Sequence, residues 1–153
     1  MTDDDLLRLD SQVCFPLYAA SNLITRLYRP LLDELGLTYP QYLVMMVLWE
    51  TAPRTVGEIG QQLHLDTGTL TPLLKRMETA GLIARQRDPA DERRVIVTLT
   101  AQGDILRERA RHVPEALAVQ LSMTVPDLER LRATVGELVD RLKPVQGAGV
   151  SKV

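Results

Sequence analysis

Residues 63–100 read LHLDTGTLTPLLKRMETAGLIARQRDPADERRVIVTLT, and this stretch decides the fold. Asp66 suits a helix N-cap, because its side-chain oxygen accepts from the free N–H groups of the first turn. Leu70, Leu73, Leu74 and Met77 follow at i, i+3, i+4 and i+7, which makes one apolar stripe along a helix. Thr67, Thr69, Thr71, Lys75 and Arg76 fall mostly off that stripe, leaving short hydroxyls and basic side chains facing out. Gly81 stands where a helix commonly closes through a left-handed residue. Beyond it the period drops to two. Leu82, Ala84 and Gln86 alternate with Ile83, Arg85 and Arg87, and residues 94–99, RVIVTL, are β-branched and strand-like. Between these strands, residues 88–93 (DPADER) form a charged, turn-rich tip. A helix followed by a hairpin with an arginine-bearing tip is the layout of a winged helix-turn-helix.

The partner helix lies just upstream. Thr55 and Glu58 have the spacing of a capping box and open a short helix through Leu63. His64 and Leu65 then form a turn short enough for the helix-turn-helix geometry.

Outside this module the chain reads as helix. Over residues 11–35, Leu17, Ala20, Ile24, Leu27, Leu31 and Leu35 repeat at three- and four-residue steps. Asp10 or Ser11 is expected to cap that helix, Pro30 to kink it or interrupt its hydrogen bonds, and Gly36 to end it. Thr38 and Gln41 predict a second capping box, before the almost uniformly apolar YPQYLVMMVLWE at 39–50, a core helix. Residues 51–54 read as a loop. Thr100 caps a helix over about 101–121, interrupted at Pro114, and Thr124 opens a last one with Leu128, Leu131, Val135, Leu138 and Leu142 on one stripe. Residues 145–153 read as a frayed tail. The expected fold is mainly α with a small β-hairpin, one domain over 1–153. A winged helix-turn-helix core at about 38–99 is flanked by helices at about 11–35 and 101–145. Their apolar stripes exceed what a module of this size needs for its own core, which points to dimerisation, the other reading being that these helices pack within the chain.

Composition narrows the function. The chain has 153 residues, 45% hydrophobic and 25% charged, and lacks an apolar run near the roughly 18 residues of a membrane helix. Its acidic start does not resemble a signal peptide, so a cytoplasmic protein without a membrane partner is expected. Net charge is −2, yet it is unevenly spread: residues 1–74 balance at −5, residues 75–94 at +2 and residues 95–153 at +1. The basic excess falls on the predicted reading helix and hairpin, and Lys75, Arg76, Arg87, Arg93 and Arg94 become candidate DNA contacts beside Thr67, Thr69 and Thr71. No metal-ligand spacing, phosphate loop or paired-carboxylate site stands out, so neither a cofactor nor an enzyme activity is expected. His64 and His112 read as surface or packing residues.

The one cysteine, Cys14, excludes an internal disulfide. It falls in or just before the first turn of the first helix, where unpaired N–H groups and the helix dipole favour a thiolate. A thiolate attacks the O–O bond of a peroxide and becomes a sulfenic acid. Tyr18, Tyr28, Tyr39 and Tyr42, all four tyrosines, lie within 30 residues of it. Tyr28 is 14 positions along the same helix, roughly 21 Å away at 1.5 Å per residue, and does not touch its own Cys14. An antiparallel pairing of two first helices sets Tyr28 and Tyr39 of one chain beside Cys14 of the other. On spacing alone another reading stands: Cys14 as a small buried hydrophobe and the tyrosines as amphipaths of the core.

The module LDTGTLTPLLKRMETAGLIARQRDPADERRVIVTLT resembles the MarR family of dimeric winged-helix repressors. The upstream QVCFPLYAASNLITRLYRPLLDELGLTYPQYLVMMVLWE resembles its OhrR-type branch of organic-hydroperoxide sensors. The resemblance covers about residues 10–145. It implies that Cys14 is the peroxide-reactive cysteine and that Tyr28 and Tyr39 are the partner-chain tyrosines that hydrogen-bond it. It also implies that Arg93 is the wing-tip arginine entering the minor groove, held by Asp91, and that the helix from Thr67 reads the major groove. With no second cysteine the chain fits the one-cysteine type, whose sulfenic acid condenses with a small thiol, cyclises with a backbone nitrogen or is overoxidised.

The resulting expectation is a homodimeric repressor on a pseudo-palindromic double-stranded operator that releases DNA when an organic hydroperoxide oxidises Cys14. One alternative is a MarR-type repressor released by a small phenolic ligand, and a second is a one-cysteine redox regulator of a broader stress or virulence programme. A thiol peroxidase fits less well, since neither a resolving cysteine nor a cysteine–histidine pair is evident.

Overall fold

The computed structural model describes residues 3–144. The expected frayed tail, 145–153, lies outside them. Seven helices and three strands run in the order α1 (Cys14–Asp33), α2 (Tyr39–Glu50), β1 (Arg54–Thr55), α3 (Val56–Leu63), α4 (Thr67–Thr79), β2 (Ile83–Asp88), β3 (Asp91–Leu99), α5 (Ala101–Ala110), α6 (Val113–Leu121) and α7 (Val125–Leu142). A compact unit ends at Ala116 and a second begins at Leu117. None of the described helices is long and apolar enough to cross a membrane.

The caps form as the sequence predicts. Thr38 accepts the Gln41 N–H while the Gln41 side chain takes the Thr38 N–H, and Thr55 and Glu58 make the same reciprocal pair. Asp66 accepts the Thr69 N–H at 2.7 Å. That bond, the largest influence, holds its carboxyl below the usual carboxylate range. The Asp66→Ala chain should therefore melt at a lower temperature, with the loss confined to pH values at which Asp66 is ionised. As pH falls through the depressed pKa the wild type loses the same bond and the two melting curves converge. Gly36 and Gly81 take left-handed φ values of 68° and 80° and close α1 and α4.

The core gathers the stripe of α4 (Leu70, Leu74 and Met77) with Met45 and Leu48 of α2, Ile59 of α3 and Val97 of β3, all at most 1% exposed. Gly60 lets the helix-turn-helix close: a Cβ there would sit 2.6 Å from the Leu65 carbonyl oxygen. His64 makes the turn with φ 56°.

Five expectations change or take definite form. First, α1 starts at Cys14 and is preceded by short 3-10 turns at Asp3–Leu7 and Leu9–Ser11; neither Asp10 nor Ser11 caps it. The Asp10 carboxylate is taken by Arg8 at 3.0 and 2.8 Å, and Val13 occupies the cap position without a side-chain bond. Second, the interruption expected at Pro30 takes the mild form of one missing hydrogen bond, and α1 continues to Asp33; residues 26 and 30 are exposed, so water can take the carbonyl that loses its N–H partner. Third, the wing has a third strand, because β1 pairs with β3, Arg54 opposite Val97, giving the antiparallel order β1-β3-β2. Fourth, the hairpin tip shrinks to Pro89 and Ala90, since β3 already starts at Asp91 and Asp88 accepts the Ala90 N–H. Fifth, the break near Pro114 falls at 111–112, leaving two helices, with Pro114 in the first turn of α6, where a missing N–H costs nothing.

Large apolar side chains stay uncovered in both units. In the first, Leu7, Val13 and Tyr18 are 86%, 71% and 69% exposed. In the second, α7 buries none of its residues, and Leu131 and Leu142 are exposed.

Candidate DNA interface and cysteine site

Of the candidate DNA contacts, Thr67, Thr71, Arg93 and Arg94 come together around one cleft, whereas Lys75 and Arg76 line a separate hollow with Pro72 and Thr79, and Thr69 and Arg87 line neither. The start of α4, the exposed side of α3 and strand β3 enclose a cleft of about 510 Å³, lined among others by Glu58, Gln61, Thr67, Thr71, Arg93 and Arg94. Thr69, Lys75 and Arg76 are exposed on α4. Thr71 is already half engaged, its hydroxyl donating to the Thr67 carbonyl at 2.8 Å, so Thr67 and Thr69 have the freer hydroxyls. Gln61 and Gly57 also line the cleft. Neither stands out from its sequence as a DNA contact, although a polar residue off the apolar face of the first helix is a signal that marks Gln61.

The wing is braced from within. Asp91 takes the Arg93 guanidinium with both oxygens, at 3.1 and 3.2 Å, and the Arg93 N–H at 3.2 Å. These bonds, the side-chain pair first, hold the Asp91 carboxyl below the usual range. The Arg93 side chain is nevertheless 90% exposed. A planar guanidinium fixed in orientation yet open to solvent can reach an anionic groove with little further ordering. Arg87 donates across the hairpin to the Glu92 carbonyl at 2.8 Å, and Arg94 sits 3.8 Å from Asp88. Arg93 therefore projects from the wing, while Arg87 and Arg94 brace it and add positive charge.

Cys14 is the first residue of α1, free and exposed. The reading of it as a buried hydrophobe fails. The tyrosines divide: Tyr18 is exposed, whereas the Tyr28 ring lies 4.8 Å from Tyr39 and 5.9 Å from Tyr42. Burial first, then repulsion from Tyr39 and Tyr42, pushes the Tyr28 hydroxyl up to about 12; burial also raises Tyr39 and Tyr42. All three hydroxyls therefore stay protonated at neutral pH and can act as donors. The sign in alkali follows: the unfolded chain loses the Tyr28 proton near 10, the folded chain only near 12. Stability should fall as pH rises through that window, and a series of melts from pH 9 to 12 checks it. Because α1 is one continuous helix, Cys14 and this cluster stay separated by roughly 21 Å of helical rise within a chain. Among the described residues no group of three or more His, Cys, Asp or Glu side chains is placed to hold a metal ion.

Residues 26–109 match the family model described as transcriptional regulator SarA/Rot. The chain is 46% identical over 138 residues to the organic hydroperoxide resistance transcriptional regulator of Bacillus subtilis, covering 90% of this chain and 94% of that protein. Among solved structures it is similar to reduced AbfR bound to DNA, with TM-score 0.74 and 35% identity over 92% of this chain and 99% of that one. It is also similar to disulfide-formed AbfR, with TM-score 0.62 and 39% identity over 89% of this chain and 96% of that one. With the helix-turn-helix, the braced wing and these matches in place, the chain belongs to the MarR-like winged-helix transcriptional regulators, within the family that the SarA/Rot model describes.

Proposed function

We propose that the protein is a homodimeric, cytoplasmic repressor that senses organic hydroperoxides through Cys14 and then releases its operator. The observation that carries this reading is the placement of Cys14, the only thiol of the chain, uncovered at the first residue of α1. A second copy is the natural occupant of the apolar faces left open on the N-terminal segment and on α7, and paired modules suit paired half-sites. Antiparallel pairing of two α1 helices sets Cys14 of one chain against the protonated Tyr28–Tyr39 pair of the other, whose hydroxyls donate to the thiolate.

The chemistry balances with one oxidant. The thiolate sulfur attacks an oxygen of ROOH, the O–O bond breaks, and with one proton taken up the products are the sulfenic acid and ROH. Sulfur is oxidised and the peroxide reduced. A small thiol then condenses with the sulfenic acid, giving a mixed disulfide and water. Either product replaces the thiolate, the charged acceptor of the tyrosine hydrogen bonds, and adds bulk at the subunit contact. That biases the spacing of the two reading heads. The name of the Bacillus subtilis relative supports this class of signal. On the DNA, α4 would lie in the major groove with Thr67, Thr69 and Thr71 near bases or phosphates and Lys75 and Arg76 on phosphates. Arg93 would enter the neighbouring minor groove, with Arg87 and Arg94 beside it.

The test is fluorescence anisotropy on a labelled fragment of the protein's own promoter, at fixed salt, with reduced protein titrated with cumene hydroperoxide. The wild type should lose at least about tenfold in affinity, a coupling of about 1.4 kcal/mol. The Cys14→Ser variant should bind equally tightly and ignore the oxidant. Equal release of both proteins would sink the thiol switch, and no release of either would redirect the search to a small-molecule ligand.

A further inference from the structure

The wing arginine works only if the wing stands at the correct angle to α4, and the turn joining them is short: Ala80, Gly81 and Leu82 separate the two elements. Backbone bonds close that turn, Leu82 N–H to the Met77 carbonyl at 3.1 Å and Gly81 N–H to the Glu78 carbonyl at 2.9 Å. They end the helix without fixing how the strand beyond it pivots. Glu78 reaches across. One carboxylate oxygen accepts the backbone N–H of Arg85 at 2.8 Å, and the other accepts from the Arg85 guanidinium at 3.2 Å. These bonds hold the Glu78 carboxyl below the usual range, the backbone N–H contributing most. Arg85 lies on β2, an edge strand of the sheet, and pairs with Val97 of β3. Edge strands carry N–H groups with no ladder partner, and here a side chain of the recognition helix takes one of them. The Arg85 side chain is 23% exposed and lines the same cleft as Thr67, Thr71 and Arg93.

We propose that Glu78 is a positioning residue for DNA binding: its carboxylate clips the wing to the end of α4 and so sets where Arg93 falls relative to the α4 hydroxyls. The inference rests on the reading of Arg93 as a DNA contact. The lever is long enough to matter. Arg93 stands four residues along β3 from Val97, the partner of Arg85, so it lies roughly 13 Å from the clip at 3.3 Å per residue. At that radius a pivot of about 10° moves the tip by about 2 Å. Such a displacement takes a guanidinium out of hydrogen-bond range of a groove edge. The inner bracing of the hairpin, Asp91 with Arg93 and Arg87 with the Glu92 carbonyl, makes it move as one body.

A double-mutant cycle separates positioning from general stability, again by anisotropy on the labelled promoter fragment with reduced protein at fixed salt. In the unaltered chain Arg93→Ala should weaken binding about a hundredfold. In a Glu78→Ala background, already at least about thirtyfold weaker, the same substitution should cost no more than about threefold, because the displaced wing no longer delivers Arg93. Glu78→Asp keeps the charge at the end of the helix but shortens the reach by one methylene. It should show the same loss of coupling if the alanine variant does not fold. Glu78→Gln keeps an oxygen for the Arg85 N–H and should bind within about threefold of wild type. An undiminished Arg93→Ala effect in the Glu78→Asp chain overturns the clip while leaving the wing assignment intact. An Arg93→Ala substitution without effect in the unaltered chain overturns the wing assignment and the clip with it.

Discussion

A Gly103→Ala chain should melt about 10 °C below wild type, equivalent to a loss of about 3 kcal/mol. Gly103 is buried in the first turn of α5, and an added Cβ would overlap the Leu82 carbonyl oxygen, come within 3.1 Å of its carbon and press on Leu99. The obstacle is backbone, so no rotamer change relieves it. Moving Leu82 away would break the Thr100 N–H bond to its carbonyl at 3.2 Å and disturb the Thr100 hydroxyl bond to Gly81 at 2.6 Å. Moving α5 instead would stretch the Trp49 Nε1–H bond to the Gly103 carbonyl, now 2.9 Å. Each escape costs a partly buried hydrogen bond in addition to packing. Calorimetry decides it, and a shift under about 2 °C would mean that α5 does not press on the α4–β2 junction as described. Because the same junction carries Gly81 and Glu78, the surviving folded fraction should also bind DNA less tightly than wild type.

Arg93→Ala should reduce affinity for the promoter fragment about a hundredfold, since the proposed homodimer would lose two charge-assisted contacts at about 1–2 kcal/mol each. The Arg93 side chain projects into solvent, yet Asp91 already orients it, so binding spends little of its contact energy on ordering the side chain. The slope of log affinity against log salt should flatten as two cationic contacts disappear. Asp91→Ala, which frees the guanidinium without removing it, should cost less and leave the salt slope nearly unchanged. Affinity within twofold of wild type for Arg93→Ala would remove the wing from the recognition surface and leave α4 to carry it.

The local determinants were legible in the residues themselves. Thr38 with Gln41, Thr55 with Glu58, and Asp66 with Thr69 are bonds between neighbours a few positions apart, so composition and spacing suffice to predict them. The apolar stripe of α4, the left-handed Gly81 and the change of period that announces the wing belong to the same class. So does Cys14, whose place at the start of α1 follows from the helical pattern, although the cap expected before it was wrong because Arg8 competes for Asp10.

Other features depend on chain segments that meet only when the fold closes. Strand β1 is two residues long and exists because β3 offers it a ladder some forty positions later. Trp49 finds its acceptor 54 residues away at Gly103, whose need to lack a side chain is set by the Leu82 carbonyl and not by its own helix. The exposure of Cys14 and the mutual burial of Tyr28, Tyr39 and Tyr42 were likewise decided by packing, since periodicity says which face a residue shares and not whether anything covers it. Glu78 is the sharpest case: its sequence marks it as one more polar residue near a helix end, and only the return of the edge strand β2 beneath it supplies the N–H that it holds.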